Sequence, residues 1–273
     1  MLLAHAAGAL LADLEFLQFH PTAVTGVPGR EGFLITEAIR GEGARLLDPA
    51  GERFVDELAP RDEVSLAIDA VLARTGASSV SLDMREVDPA LFPNVVGALA
   101  QAGLDVTREL IPVAPAAHYM MGGIQTDLEG RSTLPGLFAV GESACTGLHG
   151  ANRLASNSLS ECFVFGRRAS LAGLAEPASA ERRPERIAPA VEVGGATRRA
   201  LWRDAGLRRT REGLERLLAD PFPLARLIAA CALAREESRG AHVRSDFPDP
   251  DPALDAMHTV VGADGVAGHE RWE

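Results

Sequence analysis

The segment HGANRLASNSLSE, residues 149–161, concentrates the groups best suited to chemistry in this 273-residue chain. Arg153 offers a fixed cation. Asn157 and Ser158 open an apolar helical run whose first N–H groups point outward, a geometry that draws an anion or the electron-rich edge of a ring. The same residues read equally well as an ordinary N-cap, Asn157, following a polar loop. Spacing alone leaves both readings open.

A second cluster is FHPTAV, with His20 and Thr22, followed by FLITEAIRGEG at 33–43. If Thr36 begins a short helix, Thr36 and Arg40 stand at i and i+4 and Glu37 and Arg40 at i and i+3, so a hydroxyl, a carboxylate and a guanidinium share one side. Taken by itself, the Glu37/Arg40 pair reads as a solvated surface ion pair. The GEG that follows lacks the strand and the remaining glycine of a dinucleotide-binding turn. His118, in PAAHYMMGG, lies where one texture gives way to another, a place binding sites favour, although a buried structural histidine accounts for it as well. Arg61, in APRDEV, opens a helical pattern, where the dipole disfavours a cation and Asp62 and Glu63 offset it.

Together these groups make a set able to clamp both ends of a small dianion and to move a proton. No Ser/His/Asp order, paired carboxylates or zinc motif competes with it, and no metal site is expected. Cys145, Cys162 and Cys231 have neither metal-ligand spacing nor the density of a disulfide scaffold, which suits a reducing cytoplasm.

Composition narrows the chemistry further. A net charge of -11 argues against a sequence-independent grip on nucleic acid or an anionic membrane. All 27 basic residues are arginine, so no lysine is present to form a Schiff base, whereas guanidinium groups suit bidentate carboxylate binding. No apolar stretch reaches the roughly 20 residues needed to span a bilayer, so direct membrane insertion is not expected.

The elements that must position these groups form an α+β pattern, at 47% hydrophobic content enough for a substantial core. Helical periodicity covers 1–12, 63–74 and 91–102, with strand-like LEFLQF and SVSLDM between. From His118, YMMGGIQTD and GLFAVGE read as strands bounded by glycine turns, and a helix follows from Asn157. The Pro-, Ala- and charge-rich stretch EPASAERRPERIAPAVEVGG reads as a linker, and helical patterns over 196–219 and 224–239 suggest a bundle.

Seven strings then carry a resemblance: QFHPT (18–22), TEAIRGEGARL (36–46), PRD (60–62), HYMMGG (118–123), GLFAVGE (136–142), HGANRLASNSL (149–159) and ESRGAHVRSDFP (237–248). In this order they resemble the family of succinate dehydrogenase and fumarate reductase flavoproteins, which includes the L-aspartate oxidases. Ala155 and the short helical tail resemble the aspartate oxidases more than the respiratory subunits.

The resemblance implies a capping domain, a remnant of a Rossmann-like FAD-binding domain and a C-terminal helical bundle. Residues 1–13 would end a flavin-domain helix, 14–117 form the capping domain, 118–187 the C-terminal part of the FAD-binding domain with the linker, and 188–273 the helical domain. It implies that His20 and Thr36 hold one substrate carboxylate, that His118 and Arg153 hold the other, and that Arg61 transfers the proton with Glu37 and Arg40 as its relay. Glu142 would contact the ribityl region of a non-covalent FAD, and Asn157, Ser158 and Leu159 would face the flavin ring.

The implied reaction is oxidation of L-aspartate to iminoaspartate with oxygen or fumarate as acceptor, feeding quinolinate synthase and NAD biosynthesis in the cytoplasm. No GxGxxG turn opens the chain, so most flavin contacts are expected on a missing half or its separate gene product, and the chain by itself is expected to bind FAD weakly and to be inactive. A fumarate reductase or succinate dehydrogenase relative, and a non-catalytic split subunit acting as a binding module, remain as alternatives.

Overall fold

The computed structural model describes residues 1–177 and 192–272. Most of the proposed linker lies outside the described residues. The chain divides into two compact units, one made of 1–18 and 119–273, the other of 19–118. In chain order the elements are α1 (Leu2–Ala6), β1 (Leu11–Ala12), β2 (Leu17–Val24), α2 (Ala38–Gly41), β3 (Arg45–Leu47), α3 (Arg61–Thr75), β4 (Val80–Asp83), α4 (Pro93–Gln101), β5 (Ile111–Met120), β6 (Gly123–Gln125), β7 (Ala144–Cys145), α5 (Asn157–Ala175), α6 (Gly195–Ala205), α7 (Arg211–Leu217), α8 (Pro223–Ala234), β8 (Met257–Val261) and β9 (Ala267–Arg271). Helices and largely antiparallel sheets give the α+β class expected.

The unit of residues 19–118 is built on a four-stranded sheet ordered β2-β5-β4-β3. Helix α3 shows why its sequence folds locally. Pro60 precedes it, Asp62 and Glu63 occupy its first turn, and Gly76 ends it in the left-handed conformation. Val64, Ile68 and Val71, at i, i+4 and i+7, are buried in one core with Leu82 of β4, Val113 of β5 and Leu99 of α4. Fully burying each such aliphatic group contributes about 1.5–3 kcal/mol. The alternation in β4 sends Val80 and Leu82 inward.

The other unit carries a five-stranded sheet ordered β7-β6-β1-β8-β9, in which β1 pairs antiparallel with β6 and β8 while β6 and β7 run parallel. Leu11, Leu14, Leu214, Cys231 and Val261 are buried together in its core, which joins the sheet to α7 and α8. Residues 14–18, grouped by sequence with the capping module, belong here, because Leu14 lies in this core and Glu15 in a buried ionic network. The three cysteines are free, Cys145 and Cys231 buried and Cys162 exposed.

That network is where ESRGAHVRSDFP acts. Arg235 donates to Glu15 at 2.6 Å and to Glu237 at 2.9 Å, and Glu237 also accepts from Arg239 at 2.9 Å. Arg209 donates to the Glu15 carbonyl at 2.6 Å, and Arg244 donates to Asp246 through two bonds of 2.8 Å. The motif therefore supports the two arginines that reach residue 15, Glu237 by accepting from Arg235 and His242 by meeting Arg209 at 2.7 Å. Isolated buried charges would be costly; pairing and multiple hydrogen bonds make these tolerable.

Several local expectations need correction. The helix expected over 1–12 stops at Ala6, and Leu11–Ala12 are instead a buried strand held between two neighbours. GLFAVGE is no strand: Phe138 makes a single bridge to Arg131, and the strand that follows is β7. The pattern over 196–219 breaks at Gly206, where an added Cβ would lie 2.2 Å from the Trp202 carbonyl oxygen. The helical reading of 188–273 fails at its end, where β8 and β9 form a hairpin with Gly265 at positive φ after Asp264.

Candidate functional site

In the unit of residues 19–118 the candidate groups come from four elements, β2, α2 with the segment leading into it, α3 and β5. β2 carries His20, buried, and Thr22, whose hydroxyl donates to the Ile35 carbonyl at 2.9 Å and so ties the strand to the segment leading into α2. The Thr22 N–H donates to His20 Nδ1 at 3.3 Å, which makes Nδ1 an acceptor and leaves the proton of a neutral ring on Nε2. The His20 and His118 rings meet edge to face with centroids 5.3 Å apart. Thr36 is exposed and its hydroxyl accepts the Ala38 N–H at 3.4 Å.

Glu37 is the N-cap residue of α2 and the meeting point of two arginines. Arg61, at the first position of α3, donates from Nε to Glu37 Oε2 at 2.7 Å, and Arg40 Nη2 stands 3.8 Å from the same oxygen. Arg40 is 2% exposed, so the pair is not the surface decoration that spacing suggests. Arg40 donates from Nη1 to the Glu57 carbonyl, while its Nε and Nη2 are buried with no hydrogen-bond partner among the described residues. Burial holds the Arg40 guanidinium below its ordinary pKa and Arg61 adds to this, against the pull of Glu37 and Glu57. Glu57, which sequence reasoning did not single out, accepts from the Leu46 N–H at 2.9 Å and from Arg53 at 2.6 Å. Arg61 escapes the unfavourable helix dipole by reaching Glu37.

In the other unit Arg153 is nearly buried at 6% exposure. Its Nη1 donates to Ser158 Oγ at 3.0 Å and its Nη2 to Gln18 Oε1 at 3.1 Å, and its Cζ lies 4.2 Å from the centroid of the Tyr119 ring. Gln18, inside QFHPT but not singled out from the sequence, also donates to the Arg153 carbonyl at 2.8 Å. Glu142 is exposed and accepts the Met120 N–H at 3.2 Å. The paired glycines of HYMMGG have a steric reason: a Cβ on Gly122 would lie 2.2 Å from the Asp13 carbonyl oxygen, and one on Gly123 2.7 Å from that of Ser143.

Asn157 is not the cap. It is the first helical residue of α5, and the N-cap is Ser156, at φ 64°, which makes no side-chain capping bond. No side chain therefore competes for the opening N–H groups of this 19-residue helix, of which those of Asn157 and Leu159 donate to the carbonyls of Leu154 and Ser156 at 3.2 and 3.0 Å. Leu154 and Leu159 flank this turn and are 75% and 64% exposed.

Spacing also missed a carboxylate-centred triad. Asp13, Cys145 and His258 bring donor atoms within 4.8 Å of one another. Asp13 Oδ2 already accepts from His258 Nδ1 at 2.6 Å and Cys145 Sγ at 3.4 Å, and burial pushes the thiol pKa up. The group is internally satisfied as it stands.

The chain as a whole is similar to known proteins. L-aspartate oxidase of Caulobacter vibrioides is 47% identical over 96% of this chain, and that of Agrobacterium fabrum 44% identical over 92%. The chain spans about half the length of these relatives, 55% and 53%. Among solved structures, an E. coli quinol fumarate reductase variant matches with a TM-score of 0.79 and 30% identity, covering 98% of this chain and 60% of that one. The family model for the FAD binding domain matches residues 2–159, and that for the fumarate reductase flavoprotein C-terminus matches 217–271. With the first match spanning more than half its length, the chain belongs to the FAD binding domain family of fumarate reductase and succinate dehydrogenase flavoproteins.

Proposed function

We propose that this chain supplies the substrate-binding and proton-transfer groups of an FAD-dependent L-aspartate oxidase. The observation that carries the reading is the convergence of Arg61 and Arg40 on one oxygen of Glu37, at 2.7 and 3.8 Å, with Arg40 buried. A buried guanidinium beside a half-exposed, doubly approached carboxylate is a costly arrangement for mere surface pairing and a suitable one for passing a proton.

His20 and Thr36 are assigned to one carboxylate of the substrate, and His118 and Arg153 to the other. Such clamping fixes the Cα–H bond and the amino group relative to the oxidant. Arg61 is assigned to the proton transfer: as its Nε proton passes to Glu37, 2.7 Å away, the guanidine takes up the proton released as the imine forms, and Arg40 completes the relay beyond Glu37. Bound FAD supplies the hydride acceptor.

The residues fit a flavin. The α5 N-terminus has no side-chain capping bond, and exposed Leu159 lies beside it. Its helix dipole favours the added negative charge of a reduced ring. Asn157, Ser158 and Leu159 would face that ring, and Glu142 the ribityl chain. Farther along α5, Phe163 and Leu174 are 79% and 85% exposed, an apolar surface suited to the remaining part of a flavin-binding domain. Quinolinate synthase would receive the iminoaspartate, in the cytoplasm. Among the described residues no helix is long and apolar enough to cross a membrane.

A second reading, a fumarate reductase or succinate dehydrogenase relative, is favoured by the likeness to the E. coli quinol fumarate reductase. The flavin-loaded protein containing this chain separates the two. Aspartate-dependent peroxide formation with little succinate oxidation supports the first reading, and succinate or fumarate turnover without aspartate oxidation replaces it with the second.

A further inference from the structure

We infer that Glu161, acting through Tyr119 and anchored by His149 and Thr146, is a positioning residue for the Arg153 guanidinium. The inference rests on the proposal above that Arg153 binds a substrate carboxylate.

Glu161 sits early in α5 with 2% exposure, an expensive place for a carboxylate that only fills space. Its Oε1 accepts from Thr146 Oγ1 at 2.7 Å, and its Oε2 lies 2.9 Å from His149 Nε2 and 3.4 Å from the Tyr119 hydroxyl. Burial alone would raise its pKa, but the bonds from His149 and Thr146 prevail and hold it below the ordinary carboxylate range. Thr146 and His149 belong to the loop that leads to Arg153. The carboxylate therefore fixes both that loop and the Tyr119 ring.

The ring is the platform on which Arg153 lies. Its hydroxyl points to Glu161, its plane meets the His149 ring edge to face at 5.6 Å, and the Arg153 Cζ sits 4.2 Å from its centroid. Burial, first, and the nearby Glu161 charge keep the phenol protonated well above its ordinary pKa, so it remains a donor to Glu161. A guanidinium held over an aromatic face has its central carbon fixed there while its N–H groups stay available for bidentate carboxylate binding. Ser158 and Gln18 hold the two Nη groups, and the Tyr119 ring supports the central carbon between them.

The test uses the flavin-loaded enzyme containing this chain and four variants, Glu161→Gln, Tyr119→Phe, Tyr119→Leu and Arg153→Lys, with KM and kcat for the dicarboxylate, flavin content and thermal midpoint measured for each. Loss of the ring face in Tyr119→Leu should raise KM about tenfold, the scale of a desolvated cation–π contact, with a smaller change in kcat. Tyr119→Phe, which keeps the face and loses only the tether, should rise a few-fold, and Glu161→Gln should fall between the two. A KM unchanged in both Tyr119 variants, with Arg153→Lys strongly impaired, overturns the positioning role alone. Arg153→Lys with unchanged kinetics overturns the carboxylate-binding reading beneath it. If Glu161→Gln does not fold, the graded response of the two Tyr119 variants still decides the matter.

Discussion

Arg61 and Glu37 are joined by a 2.7 Å hydrogen bond across 24 positions of sequence, between the first residue of α3 and the N-cap of α2. Removing the guanidinium in Arg61→Ala should lower kcat of the flavin-loaded enzyme by about 10²–10⁴-fold, the usual contribution of a positioned proton-transfer group. Glu37→Gln, which keeps a hydrogen-bonding oxygen but loses the charge, should cost roughly tenfold or more in kcat and little in KM. Turnover close to wild type in Arg61→Ala would remove Arg61 from the proton path.

Glu15 gives the fold a pH dependence. Burial, with Asp13 adding to it and Arg235 opposing, raises its pKa to about 7. The folded state therefore holds the Glu15 proton more tightly than the unfolded chain does, and Arg235 pairs with the carboxylate once that proton leaves. The contribution of that tighter hold is fully present below the unfolded value near 4.5 and is lost as pH rises through about 7. In Glu15→Gln, denaturant midpoints should no longer fall between pH 5 and 7; an unaltered pH profile would count against the raised pKa.

Two glycine substitutions should act in opposite directions. Gly122→Ala would push a methyl to 2.2 Å from the Asp13 carbonyl oxygen, with backbone on both sides of the clash, and should destabilise by about 3 kcal/mol or more. Gly97→Ala, within α4 and with nothing within 4 Å of the new Cβ, should stabilise by up to about 1 kcal/mol. Chemical denaturation of both variants checks the pair, and equal midpoints would refute the close-approach explanation of the HYMMGG glycines.

At the start of α5, Leu159→Glu places a negative charge where the proposed flavin ring would gain one on reduction. The two-electron midpoint potential of the bound flavin should become more negative, on the order of 30 mV for a 1.4 kcal/mol penalty on the reduced form. Spectroelectrochemical titration reads this directly. A potential unmoved by the charge would place the ring elsewhere.

The candidate groups were legible in the residues themselves. His20, Thr36, Glu37, Arg40, Arg61, His118 and Arg153 are picked out by their motifs, with roles that only the resemblance implies, and α3 is recognisable from its apolar repeat and its terminal Pro60 and Gly76. Asp264-Gly265 was a readable hairpin signal too, although helical periodicity upstream masked it. Gln18, Tyr119 and Glu161 carried no separate signal, since a glutamine in a strand, a tyrosine before two methionines and a glutamate in a helix are each unremarkable alone.

The sequence by itself determined the family, the set of charged and hydrogen-bonding groups, and those elements whose periodicity and end signals lie within a few residues of one another. Tertiary structure decided which charges are buried and what they touch. Arg40 became a buried cation instead of a surface one, Leu11–Ala12 became a strand between β6 and β8, and Ser156 took the cap position from Asn157. The reason is range. Caps and periodicity act over one or two helical turns, whereas Gln18 meets Arg153 across 135 positions and Glu15 meets Arg235 across 220, so burial and partnership exist only once distant segments have packed together.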